Sequence, residues 1–453
     1  MTCFDKKSST PTAAALSYPS VATTLSYPFV FASSLAKNIT SLLGVGYSIM
    51  PQFGSIGLSL GLRKQSGPGL LKTQLPPSEE PFKFDENFFR TNPSTAVLYL
   101  FMYDQNPEYK DVDILLKYKG SPDGQRFQPV TRDLKLIEKE VENFRTAIEN
   151  QEPLDKIHQI GGQLYNWLIG PVASTIGGGI DTLILVPNST LHTLPFAALW
   201  NGQNGQYLIQ KYALVVEPAG AQLTDFQTTP KYNNVSALLG GISKKVGNFN
   251  PLPNTITELN AVGRFFSNDK GELNGTKLIN EDFTTSNLQE SLRQYPLVVH
   301  LSTHGVFDAT DKRSPYLVKY PDTDLILSIN NLANIMASAL TTSGDKKLVE
   351  LLVLSACQSA IGGNGKDALG LAGTGVKAGA RGAVGTLWPV NENTTQSLVT
   401  KFYEKFKNDN MTKAKALQEA QKFILSGSGE ASQIKKFTHP YYWAAFLLTG
   451  NWL

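Results

Sequence analysis

Residues 297–305 read LVVHLSTHG and residues 348–359 read LVELLVLSACQS. Each opens with a largely apolar run, short enough for a strand buried on both faces, and each breaks abruptly into small polar residues. In an open α/β sheet, ligands bind beyond the carboxyl ends of the strands. The two breaks are therefore the expected site. His304 and Gly305 follow the first run, and Cys357 follows the second. If the two strands are parallel neighbours, imidazole and thiol project from one sheet edge, and their separation of 53 positions suffices for a crossover connection.

Outward from these strands the alternation continues. Strands are expected at 95–102 (TAVLYLFM), 181–187 (DTLILVP), 208–216, 235–240 and 383–387, with a final strand or extended segment at 443–448. Helices are expected at 134–149, where apolar residues recur at helical spacing, and at 154–168, 257–266, 330–339, 369–380, 394–406 and 413–424. Strands alternating with helices define an α/β class with a mostly parallel sheet.

The 453-residue chain carries 41% hydrophobic and 17% charged residues, which excludes wholesale disorder. Its formal charge of +3 gives no argument for nucleic acid. The charge is uneven: residues 1–78 hold Lys6, Lys7, Lys37, Arg63, Lys64 and Lys72 against Asp5 alone. This Ser/Thr/Gly-rich stretch reads as a poorly ordered basic extension over 1–80. An organelle-targeting segment is the other reading of so acid-poor a start. The charge-free part of it contains Pro51 and several glycines, unlike a membrane span. With only Cys3 and Cys357 there is no disulfide framework, so a reducing compartment, the cytoplasm, is expected. No 34-residue helical repeat is visible.

A thiol beside an imidazole suits nucleophilic acyl transfer. His304 deprotonates Cys357, the thiolate attacks a carbonyl, and the imidazolium protonates the leaving amine. Gly305 permits close backbone approach and offers an N–H to an oxyanion. Each residue also fits a plain structural role, Cys357 as a small core side chain and His304 as a hydrogen-bonded histidine. Other chemistries fit worse. His300 and His304 lack a carboxylate to complete a zinc set, the glycines at 373–378 do not directly follow a strand, and no Gly-x-Ser-x-Gly elbow exists. The chemistry calls for no metal and no organic cofactor.

The segments 301–305 (LSTHG), 354–359 (LSACQS), 370–381, 387–390 (LWPV) and 439–446 (HPYYWAAF) resemble the CHAT domain, a caspase-like family often found beside tetratricopeptide repeats. So do 183–199 and 252–266. The resemblance covers about 95–453. It implies a caspase-like fold, pseudo-duplicated into an inactive first half near 81–230 and a catalytic second half near 231–453. It further implies a latent cysteine endopeptidase related to caspases and separase. His304 and Cys357 match its dyad, and the N–H groups of Gly305 and Cys357 match its oxyanion hole. Family members usually carry Asp shortly after Trp-Pro-Val, where this chain has Asn391 and Glu392. Asp367 and Glu392 are candidates for lining the pocket for the residue before the cut, where a carboxylate favours Arg or Lys. Glu392 equally suits a place at the positive end of helix 394–406. The expected partners are a protein substrate and an activating protein. Long polar loops at 308–321 and 341–347, the latter with Lys346 and Lys347 as candidate self-cleavage points, suggest a conformational activation step. A catalytically silent scaffold binding a partner in the same crevice is the alternative.

Overall fold

The run 182–187, TLILVP, is buried at every position, because its strand has neighbours on both sides and helices on both faces. The computed structural model describes residues 86–106, 109–217, 235–306, 316–322, 324–342, 345–346, 349–356, 373, 375–376, 379–427 and 437–453. The basic extension at 1–80 and most of the glycine-rich helix expected at 369–380 lie outside them.

The first sheet contains β1 (Thr95–Asn106), β2 (Tyr109–Tyr118), β3 (Ser121–Phe127), β4 (Thr182–Pro187) and β5 (Ala213–Val216), ordered β3-β2-β1-β4-β5. Strands β1, β4 and β5 are parallel, while β2 and β3 add an antiparallel meander. Helices α1 (Leu134–Glu149) and α2 (Leu154–Leu168) connect β3 to β4. The α1 helix forms because Ile137, Val141, Phe144 and Ile148 make one apolar stripe, and the Asp133 carboxylate caps its start by accepting from Leu136 N.

The second sheet contains β6 (Ala237–Gly241), β7 (Gly275–Ile279), β8 (Val298–Ser302), β9 (Val349–Ser355), β10 (Ala380–Thr386) and β11 (Phe446–Gly450), ordered β11-β10-β9-β8-β6-β7. All its pairings are parallel except β10 with β11. The pleat sorts its side chains into two layers. Val298, Leu351, Val353 and Val384 share a core with α3 (Asn254–Arg264), α6 (Glu392–Tyr403) and α7 (Lys413–Leu425), and this core runs on into the first sheet. Val299, Leu301, Leu352 and Leu354 pack instead with α4 (Thr285–Leu292) and α5 (Ile329–Leu340). A helical layer on each face is what a doubly buried parallel sheet requires.

Four sequence expectations need correction. The segment 208–216 is not one strand: Leu208–Lys211 makes a helical turn before β5. Strands β2, β3 and β7 have no counterpart in the sequence reading. The polar loop expected at 308–321 contains a buried strand, Tyr316–Val318, paired with Gly305–Val306 and Ile326–Ser328. The last strand begins at Phe446, after a turn of 3-10 helix at Pro440–Tyr442.

Candidate active site

The parallel register pairs Ser302 of β8 with Ser355 of β9 on one side and with Gly241 of β6 on the other, so three strands end level. Beyond that line the chain is pinned. Thr303 N donates to Ser355 O at 3.3 Å, and Thr303 Oγ1 donates to Val318 O at 2.6 Å. The Thr386 hydroxyl donates to Ala356 O at 2.7 Å, which fixes the end of β9. Cys357 is the next residue. It and Asp367 lie outside the described residues.

His304 is buried, 7% exposed, two residues past the end of β8. Its Nε2 donates to the main-chain carbonyl of Asn250 at 2.7 Å, and its ring lies 5.2 Å from that of Phe249. A donor at Nε2 makes Nδ1 the basic nitrogen of the neutral ring. The accepting carbonyl sits on the loop after β6, and Asn280 organises that loop. Its Oδ1 accepts from Ser243 N at 2.8 Å and Lys244 N at 3.1 Å, and its own backbone adopts φ +55°.

Gly305 pairs with Leu317. His304 O accepts from Val318 N at 2.9 Å, and antiparallel ladders alternate hydrogen-bonded with non-hydrogen-bonded pairs. Gly305 and Leu317 are therefore a non-hydrogen-bonded pair, and the Gly305 N–H points away from Leu317.

Beside these strand ends is a small cavity lined by Thr255, Glu258, Ser302, Ser355, Glu392 and Thr395, among others. Glu392 is the first residue of α6, behind the capping side chain of Asn391, and it also lines this cavity. The Thr395 hydroxyl is buried and has no hydrogen-bond partner among the described residues. Glu258 belongs to a group that sequence reasoning missed. His300 is fully buried and joins Glu258 Oε1 through Nε2 at 2.8 Å and the Tyr403 hydroxyl through Nδ1 at 3.2 Å. Burial and the nearby Glu258 hold the Tyr403 phenol well above its usual range, so it stays protonated. A histidine inside an apolar strand was the available signal, but its partners stand 42 and 103 residues away.

Among the described residues no cluster of three or more His, Cys, Asp or Glu can hold a metal ion, and no helix is long and apolar enough to cross a membrane.

With parallel-rich sheets, helices and a histidine at a carboxyl sheet edge, the chain is an α/β protein of caspase-like fold. The CHAT domain family model matches residues 158–451, more than half of the chain, and the chain belongs to that family. It is 27% identical over 333 residues to tetratricopeptide repeat protein 28 of Mus musculus and 26% identical over 329 residues to that of Homo sapiens. Either match covers 64% of this chain and 13% of the relative, so this chain spans a small part of their length. The chain is similar in fold to the separase–securin complex of Saccharomyces cerevisiae, with TM-score 0.50 and 11% identity over 81% of this chain and 30% of that one.

Proposed function

We propose that this protein is a latent cysteine endopeptidase, with Cys357 as nucleophile and His304 as general base. One observation carries the reading. Ser302 and Ser355 are register partners, and His304 and Cys357 each stand two residues further along their chains.

The tautomer fixed by Asn250 makes Nδ1 of His304 the atom that takes the thiol proton. The thiolate adds to the scissile carbonyl, and the N–H groups of Gly305 and Cys357 receive the oxyanion. Collapse expels the amine with the proton from His304, leaving a thioester. Water activated by the same imidazole then hydrolyses it and regenerates the thiol. The cavity beside the strand ends, with Glu258, Glu392 and the hydroxyl of Thr395, unpartnered among the described residues, supports a preference for Lys or Arg before the cut, with Asp367 as a further carboxylate. The half near 231–453 is then catalytic and the half near 81–230 is not. Activation falls to a protein partner, and the cytoplasm supplies the reducing conditions.

The test is covalent labelling by a peptidyl acyloxymethyl ketone carrying Lys or Arg next to the reactive group. Mass spectrometry should find the adduct on Cys357, and His304→Ala should abolish it. Equal labelling of His304→Ala, or none of the native protein across activating conditions, favours a silent scaffold that binds a partner in the same crevice.

A further inference from the structure

A second concavity of about 700 Å³ lies on the first half of the molecule, between the outer face of α2 and the hairpin formed by Trp200–Asn201 and Gln206–Tyr207. That is the size of a ligand pocket, and nothing in the proposed peptidase mechanism uses it. The inner face of α2 is committed to the core through Ile157, Leu164 and Leu168. Its outer face sets Gln159, Gln163 and Asn166, all exposed, in a row at helical spacing along the cleft.

The opposite wall is braced. The Trp200 ring stacks on His158 with centroids 3.8 Å apart and planes 10° from parallel, and His158 Nε2 is hydrogen bonded to the Tyr207 hydroxyl at 2.8 Å. Burial lowers the His158 pKa, so the imidazole stays neutral near pH 7.

Gly162 is the second observation. Glycine is the poorest ordinary residue in a helix interior. Its neighbour Gly161 has a packing reason, since a Cβ there would lie 2.8 Å from the Phe144 ring. Gly162 has none: its Cβ would stand 3.6 Å from Trp200 O, an ordinary contact, and its φ is not left-handed. What glycine does at this position is leave the floor in front of Trp200 open.

The lining selects the ligand. Among the described residues it holds one carboxylate, Asp155, and no lysine or arginine. Side-chain amides both donate and accept, as peptide groups do. Two half-buried indoles, Trp167 and Trp200, and Val130, 64% exposed, add apolar contact of the kind peptide side chains use. We propose that this cleft binds an extended peptide segment of a protein partner, free of acidic residues, with its main chain on the amide row and its side chains on Trp167 and Val130.

This does not depend on peptidase activity and can be tested without it. A displayed library of random linear dodecapeptides would be panned against full-length protein carrying Cys357→Ala, and enriched peptides measured by fluorescence anisotropy. Micromolar binders should emerge that bind about tenfold or more weakly to Gly162→Leu and to Gln159→Ala/Gln163→Ala. Gly162→Leu should keep or raise the thermal midpoint, and the double variant alters exposed side chains only. Failure to enrich peptides, equal binding by all variants, or binding on a glycan array in place of peptides overturns the proposal.

Discussion

His304 and Asn250 are joined by a 2.7 Å hydrogen bond in which the imidazole donates and a main-chain carbonyl accepts. The orienting group is thus a piece of loop, and its position depends on whatever holds the loop. Asn280 does so through Ser243 and Lys244, in a left-handed conformation that asparagine tolerates better than alanine. Asn280→Ala should cost about 2–4 kcal/mol by chemical denaturation, from lost buried hydrogen bonds and strained backbone. It should also slow electrophile labelling of Cys357 about tenfold or more at temperatures where the protein stays folded. Asn280→Asp, which keeps the acceptor, should recover most of the labelling. A fully folded Asn280→Ala with native labelling would show that the loop does not hold the imidazole.

Gly241 closes the crevice from the other side. A Cβ there would lie 2.3 Å from Ser302 O and 2.7 Å from Thr255 Cγ2, and a backbone oxygen in a sheet cannot move aside. Gly241→Ala should force β6 from β8 at their carboxyl ends, destabilise the protein by about 1–3 kcal/mol and reduce labelling with it. Gly263→Ala is the matched control. Its Cβ would make ordinary contact at 3.4 Å within α3, so thermal melting should show unchanged or improved stability.

These two positions illustrate what the chain discloses unaided. The strands β4, β8 and β9 are legible because each is a largely apolar run, broken only by His300 in β8 and Glu350 in β9, with polar residues at its end. The hairpin β2–β3 is not. Strand β2 carries Lys110, Asp111, Asp113 and Lys117, β3 contains Pro122 and Gly124, and only the pairing of β2 with β1 and of β3 with β2 makes them strands. Strand β7 is only five residues long and starts on Gly275 at φ +144°, which weakens its local strand signal. At the site, His304 stands out as a polar residue after an apolar strand. Its orienting partner cannot, because any residue type supplies a carbonyl. The Glu258–His300–Tyr403 group shows only its histidine, because tertiary packing assembles it from three elements.

Far from the crevice, Lys413 is fully buried, and its Nζ lies 2.8 Å from Glu350 Oε1, while Arg381 Nε lies 3.6 Å from Glu350 Oε2. Burial lowers the Lys413 pKa, with Glu350 opposing the shift. Removing one member of a buried pair costs about 3–5 kcal/mol, because the other is left uncompensated. The costs should be unequal here. Lys413→Met leaves Glu350 with Arg381, whereas Glu350→Met leaves two cations facing each other. Urea denaturation should rank Glu350→Met as the more damaging, with the double variant recovering part of the loss. Additive losses would mean that the pair is not energetically coupled.

The seam between the sheets supplies a pH signature. Glu217, at the end of β5, is completely buried and accepts from Gly450 N and from Thr449 Oγ1 of β11. Both contacts favour the carboxylate, yet burial outweighs them and raises the carboxyl pKa from 4.5 to about 8. The folded protein therefore keeps this proton over a range in which the unfolded chain has released it. As pH rises from about 4.5 towards 8, unfolding is increasingly favoured by proton release, and this group withdraws roughly 5 kcal/mol of stability by the upper end. Glu217→Gln keeps an acceptor for Gly450 N without an ionisable proton. The native protein should be about as stable as Glu217→Gln at pH 5 and clearly less stable at pH 8, by thermal or urea unfolding at both values. A native protein that gains on the variant as pH rises would mean that Glu217 is ionised at the seam and that the two hydrogen bonds, not burial, decide its charge.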